Sequence, residues 1–317
     1  MSTKRPIISL IKSQEWTGAI ILLFVFILPF LTLAKKEQDI YVNASASGKQ
    51  DGSKSHPYKT ISKALEHADK DTEVHISSGT YKENIKIPKG VEVYGTDRDK
   101  VTIDADDDDD PVVEMKDGTK INEVTVKGGY YGIKVGEDDE ASIIECIVKN
   151  NEKNGIKIEK GTRDKDDPVT ISETIVKDNG RVGIYSEKRR VVITNSQILD
   201  NGSDGINLEG GVSAWIYKTK SKNNDGSGLK MTLDDSNIWT KYNTIVNNER
   251  EGIEVNAYGG AGRIDINKSR IDENERYGIA KVQRKPFPLS VWNGFTVEDT
   301  SFQDNHSGSI SNVIRLY

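Results

Sequence analysis

Seven times between residues 151 and 310 the chain repeats one short string: asparagine, three variable residues, glycine, then an aliphatic. The copies begin at Asn151, Asn179, Asn201, Asn224, Asn248, Asn274 and Asn305, and the last places Ser309 in the glycine slot. A weaker copy from Gly128 lacks the asparagine and is out of register. Aligned on the asparagine, apolar residues recur at fixed offsets. Ten and eight before it stand pairs such as Val169 and Ile171, or Ile264 and Ile266. Three before stand Val148, Val176, Ile198, Ile245 and Ile271, and five before stands a column of Ser and Thr that includes Cys146. Five after stand Ile156, Ile184, Ile206, Leu229, Ile253, Ile279 and Ile310. A spacing of two is the period of a strand. Each period therefore predicts three short strands, which bury an apolar face only when coils stack on one another. The reading is an all-β, single-stranded parallel β-helix with three parallel sheets and about ten coils. The asparagine column has two expected causes: Asn tolerates the left-handed conformation of a tight turn, and its amide bonds to the Asn one coil away.

Composition agrees. From residue 37 onward there are 29 Ile and 23 Val but only 7 Leu, and β-branched residues favour strands. Helical hairpin repeats would invert that ratio. With 44 basic and 50 acidic residues the formal charge is −6, so there is no electrostatic footprint for nucleic acid. The single cysteine excludes an intrachain disulfide and a Cys-based metal cluster. It is expected to be a buried, unreactive thiol.

The chain divides into four parts. Residues 17–34 are uncharged and apolar, just long enough to span a bilayer. They are expected to be a transmembrane anchor, with residues 1–16 cytoplasmic and the rest extracytoplasmic. A cleaved signal peptide, followed by secretion, is the alternative. Residues 37–105 form a lead-in and cap, with a short helix over Tyr58–Ala68 that places Ile61, Ala64, Leu65 and Ala68 on one face. Residues 106–317 carry the repeats.

The repeat over 141–313 and the capping segment 51–95 together resemble the right-handed parallel β-helix of the pectate-lyase-like superfamily. The resemblance implies the fold. It leaves the activity open, because one scaffold carries lyases, hydrolases, epimerases and non-catalytic surface proteins.

Successive asparagines are 28, 22, 23, 24, 26 and 31 residues apart, and all the variation lies between seven after one asparagine and ten before the next. Insertions thus stack along one edge, where function on a rigid scaffold is expected. Asp166, Asp167, Arg189, Arg190, Tyr258, Arg284 and Trp292 on this edge are the candidate ligand-binding residues. Aromatic faces there would bury sugar C–H groups while charged side chains bond hydroxyls or uronates. A uronate lyase of the family would need carboxylate-bound Ca²⁺ and a base. Asp234, Asp235 and Arg263 are the nearest approach and the only catalytic candidates. The Asn-Thr-Asp, Gly-His-Gly and Asp-Pro-His-His strings of the family's hydrolases and epimerases are absent. No metal site or cofactor is expected. Ca²⁺ is conceivable at Asp106–Asp110, but consecutive carboxylates are not expected to converge on one ion. His56, His67 and His75 show no ligand spacing, and His306 reads as an exposed turn residue. The expected function is non-catalytic: an exported, membrane-tethered protein that binds polysaccharide or makes cell-envelope contacts. The alternative is a polysaccharide-modifying enzyme acting on a uronate-containing glycan.

Overall fold

A computed structural model describes residues 38–161 and 168–317. The anchor expected at 17–34, and Asp166 and Asp167, lie outside these residues. Among the described residues no helix is long and apolar enough to cross a membrane.

The chain winds through three parallel sheets in fixed order. Sheet A has eleven strands, from Gln38–Val42 to Phe295–Glu298. Sheet B has ten, from Gly79–Lys82 to Ser301–Gln303. Sheet C has ten, from Ile85–Ile87 to Gly308–Arg315. The register follows the repeat columns. In sheet A, Val169, Val191, Ala214, Ile238 and Ile264 stack in one row. In sheet B, Val176, Ile198, Ser221, Ile245, Ile271 and Phe302 do so. In sheet C, Ile156, Ile184, Ile206, Leu229, Ile253, Ile279 and Ile310 form a third. These rows meet in one continuous apolar core, which stops short of Ile310, exposed on the last coil. The weak copy belongs to the same lattice, since Ile133 pairs with Ile156. Gly129 stands in its ladder position, donating its N–H to Asn151 Oδ1 at 3.2 Å. Its turn is one residue shorter than the others, which explains the shifted register.

The asparagines form an unbroken ladder at the turn between sheets B and C. Asn151, Asn179, Asn201, Asn224, Asn248 and Asn274 each donate Nδ2–H to Oδ1 of the next, at 2.8–3.0 Å, ending on Asn305. Every donation runs the same way, from earlier coil to later. The backbone N–H of each donor residue reaches the same Oδ1, so each acceptor oxygen is doubly used.

The conformational half of the expectation is corrected. The left-handed residue is the one before the ladder: Asn150, Asp178, Asp200, Asn223, Asn247, Glu273 and Asp304, with φ between 51° and 56°. The ladder asparagines are outside that region because their side chains must point inward, where most are fully buried. A second left-handed residue per coil, from Glu145 to Asp299, turns the chain from sheet A to sheet B. The residues immediately after these form a second polar row. Cys146 N–H donates to Thr174 Oγ1 at 3.3 Å and Thr174 N–H to Ser196 Oγ at 3.2 Å. The Ser/Thr column is broken at Asn243, whose Oδ1 accepts from Thr219 N–H at 2.9 Å. The Cys146 thiol is buried, and that burial pushes its pKa up to about 12, which leaves it without thiolate reactivity.

The cap helix is Ile61–Leu65, shorter than the pattern suggested, with Ile61, Ala64 and Leu65 buried. Thr60 caps it. Glu83 adds a second cap, its carboxylate accepting from Ile61 N–H at 2.9 Å and Ser62 N–H at 2.8 Å.

Candidate functional site

The variable edge joins sheet C to sheet A, and a groove flanks it on each side. In sheet A, Ala214, Ile216, Ile238, Ile264 and Ile266 face inward, so alternation sends their neighbours outward. Trp215, Trp239, Asp265 and Thr296 then stand in one outward row, with Tyr217, Lys241, Asn267 and Glu298 beside them. All of these but Tyr217 line a cavity of about 320 Å³ together with Arg263. Trp215 is 41% exposed, and its ring lies nearly parallel to Tyr217, with centroids 6.3 Å apart. The polar rim is already organised. Arg263 Nε donates to Asp265 at 2.6 Å, the Thr296 hydroxyl donates to the same carboxylate, and Asn267 Nδ2 donates to Glu298 at 3.1 Å.

The groove on sheet C is larger, about 430 Å³, and polar. Glu187, Asn207, Glu209, Lys230, Thr232 and Asn256 come from the outer face of the sheet, and Gly210, Asp234, Tyr258 and Arg284 from the edge loops. Several of them are tied into a hydrogen-bond network with Glu254, Asp204 and Tyr185. Glu254 accepts from Asn256 Nδ2 at 2.8 Å and from Arg284 Nη2 at 3.1 Å, while Arg284 Nε donates to Asn256 Oδ1 at 2.6 Å. Asn207 Nδ2 reaches both Asp204, at 3.4 Å, and Glu209, at 3.1 Å. The Tyr185 hydroxyl donates to Glu209 at 3.2 Å. Burial raises the Asp204 carboxyl pKa against the opposing pull of Lys230, whose Nζ is 3.6 Å away. Burial also raises the Tyr185 phenol, with Glu209 and Glu187 adding to it.

The Asp204 shift fixes a sign. A carboxyl that holds its proton more tightly when folded contributes stability that is fully present below the unfolded value of 3.8 and lost as pH rises through the raised one. Asp204→Asn is therefore expected to flatten the decline in Tm over that interval, measured by thermal melts at stepped pH. A decline identical to wild type would show that another group is responsible.

The structure separates the sequence candidates. Tyr258, Arg284 and Asp234 share the sheet C groove, but Asp234 serves the loop, accepting from the N–H groups of Tyr258, at 2.7 Å, and Gly260. Asp235 is exposed at a left-handed turn, and Arg263 lies in the other groove. The three catalytic candidates thus do not converge, because the edge loop between strands splits them between two faces. Arg189 is buried and turned away from solvent, donating to the carbonyls of Gly136 at 2.9 Å, Glu159 at 3.2 Å and Asp139. Burial lowers its pKa from the usual arginine value. Arg190 is exposed at the start of a sheet A strand. Trp292 is buried in the 3₁₀ turn Leu289–Gly294 and packs edge-on to Phe295, so it belongs to the core. The Asp106–Asp110 loop wraps Asn84, whose Oδ1 accepts from Asp106 and Asp107 N–H at 2.9 and 2.8 Å. The wrap brings Asp107, Asp108 and Asp109 oxygens within 4.8 Å of one another, closer than consecutive carboxylates were expected to come. His306 is exposed in its turn.

The missed residues sit on strands. Trp215 and Trp239 are 24 residues apart, the same as Asn224 and Asn248. That coincidence of spacing was the available signal that two indoles lie one above the other.

The solved structures that this one resembles include pectate lyase Pel9A, with a TM-score of 0.64 at 14% identity, covering 84% of this chain and 78% of that one. The A-module of the Azotobacter vinelandii mannuronan C-5 epimerase AlgE6 superposes with a TM-score of 0.57 at 13% identity, over 81% and 93% of the two chains. Tailspike protein 2 of the Escherichia coli O157:H7 bacteriophage CAB120 gives 0.57 at 14% identity, over 87% of this chain but 46% of its own length. Identities this low speak to fold alone. No curated protein sequence matches the chain. The family described as "Right handed beta helix region" matches residues 131–290, half of the chain. With its coils, its ladder and this match, the chain belongs to the right-handed β-helix family.

Proposed function

We propose that this chain binds polysaccharide in the tryptophan groove of sheet A, as an exported protein held to a membrane through residues 17–34. One observation carries the reading: the outward Trp215–Trp239 pair, one strand spacing apart, with Arg263, Lys241, Asp265 and Asn267 around it. Indole faces bury the C–H faces of sugars, and cations and amides bond hydroxyls or carboxylates. The structural neighbours include a pectate lyase and a mannuronan epimerase, so acidic polysaccharides are the first ligands to try.

Titration of the full-length protein with polygalacturonate, alginate and neutral glycans is expected to show saturable binding to at least one. Trp239→Ala is expected to weaken it about tenfold or more, in line with loss of a buried aromatic anchor. Blank titrations across the panel, or an unchanged affinity in Trp239→Ala, would sink this reading.

A second reading, polysaccharide cleavage, is favoured by the sheet C groove. Glu209 lines that groove, and it shares the Asn207 amide with Asp204, a carboxyl of raised pKa buried beneath the groove. Acid–base catalysis uses pairs of carboxyl groups set apart by environment. New reducing ends or unsaturated products that vanish in Glu209→Gln would establish it, and their absence across the same panel would remove it.

A further inference from the structure

The three histidines of the lead-in have no ligand spacing along the chain, yet one of them gains ligands across the sheet. His75 lies in the strand Thr72–Ile76, between Gln38–Val42 and Glu92–Gly95 in sheet A. Its Nε2 is 3.1 Å from Asp39 Oδ1 and 3.4 Å from Glu73 Oε2. One oxygen of each carboxylate and one imidazole nitrogen lie within 4.8 Å of one another at the surface. We propose that Asp39, Glu73 and His75 form a zinc site, a three-ligand centre with an open position facing solvent.

Three features support this. The first is spacing. Ligand atoms bonded tetrahedrally to Zn²⁺ at about 2.0–2.1 Å stand roughly 3.3–3.4 Å apart. The two distances from Nε2 lie close to that edge, and the third edge, between the carboxylates, is within 4.8 Å, so a metal need only draw the oxygens in. The second is proton bookkeeping. A neutral imidazole has one N–H, and Nε2 can offer it to one carboxylate at a time. Two carboxylate oxygens converging on that nitrogen are better satisfied by one divalent ion between all three.

The third is rigidity. The His75 ring is sandwiched between Tyr41, with centroids 5.1 Å apart, and Tyr94, at 5.8 Å, both within 26° of parallel. Asp39 and Glu73 are register partners, as are Tyr41, His75 and Tyr94, so the sheet itself sets the spacing. Glu92 continues the carboxylate row, but Lys120 Nζ, at 3.3 Å, and the Tyr94 hydroxyl engage it, leaving three ligands. The imidazole selects zinc over Ca²⁺ and Mg²⁺, which take oxygen ligands. The site lies in the first strands of sheet A, whereas both grooves are built from much later ones, so it stands apart from the glycan reading.

The test is calorimetric titration of the chelator-treated full-length protein with ZnCl₂, repeated with CoCl₂ under visible absorption. Saturable binding of about one Zn²⁺ per chain is expected, with affinity falling about 100-fold or more in His75→Ala and 10-fold or more in Asp39→Asn, since losing a ligand costs no less than the roughly 10–100-fold of losing an outer-shell partner. The Co²⁺ bands are expected to vanish in His75→Ala. His75→Ala also removes the ring stacked between Tyr41 and Tyr94, so circular dichroism is used to show that each variant is folded at the titration temperature. Absence of saturable Zn²⁺ binding, or a His75→Ala variant that binds as tightly as wild type, would overturn the proposal.

Discussion

Asn224→Ala is expected to lower the unfolding free energy by about 3–5 kcal/mol, since each buried polar group left unpaired costs about 1–3 kcal/mol. Asn224 is fully buried in the middle of the ladder. Its Oδ1 accepts from Asn201 Nδ2 at 2.9 Å and Asn201 N–H at 3.2 Å. Its Nδ2 donates to Asn248 Oδ1 at 3.0 Å and Ser221 Oγ at 3.1 Å. Alanine takes away the acceptor of Asn201 N–H and of one Asn201 Nδ2 hydrogen, and it leaves Asn248 Oδ1 with the backbone N–H of residue 224 as its ladder donor, all in a fully buried turn. Urea denaturation measures the loss directly. The neighbouring Asn223 is the control. It is exposed and left-handed, with φ of 56°, so Asn223→Gly keeps the backbone requirement and is expected to change stability by less than about 1 kcal/mol. If the two variants behaved alike, hydrogen bonding would not be the reason for the ladder asparagines.

Gly228→Ala is the second large effect, at about 3 kcal/mol, the upper part of the usual cost of overpacking. Its φ is outside the left-handed region, so the reason for glycine here is space. A Cβ at Gly228 would stand 2.7 Å from Asn248 Nδ2 and 2.8 Å from the Gly252 carbonyl oxygen, and it would run into the Ile245 side chain. Gly155, Gly183, Gly205, Gly252 and Gly278 meet the same three neighbours in their own coils: the next ladder amide, the next glycine-slot carbonyl and a sheet B side chain. The recurring glycine is thus the counterpart of the recurring asparagine, since the amide row passes where a Cβ would sit. A fall in Tm for Gly228→Ala close to that of a neutral surface substitution would refute this.

The scaffold was readable because its constraints recur. Every coil must solve the same packing problem, so Val169, Val191 and Ile264 announce one another across the sequence, as do the asparagines. What repetition left ambiguous was the cause of each column. An asparagine at a turn has two physical reasons to be there, and only geometry assigns the left-handed conformation to Asn223 and the buried amide to Asn224. The site was less readable for the converse reason. Outward positions vary from coil to coil, so Trp215, Asp265 and Glu209 carry no period. Loop length drew attention to Arg189 and Trp292, but length says where chain is inserted and nothing about which way a side chain turns. His75 was opaque because its partner Asp39 is 36 residues away, and only the pairing of two strands brings them together.

The one-way donation along the amide row makes the rod a translational lattice. Cut out the stretch from one ladder residue to the next, and the severed donor faces an acceptor of the same kind at the same place. The two rows of strands left behind also meet in their former phase. Such a molecule can be shortened or lengthened only in whole rungs. Its natural unit of change is the complete turn of chain, and a loss of half a turn would put the strands of one wall where those of another must stand.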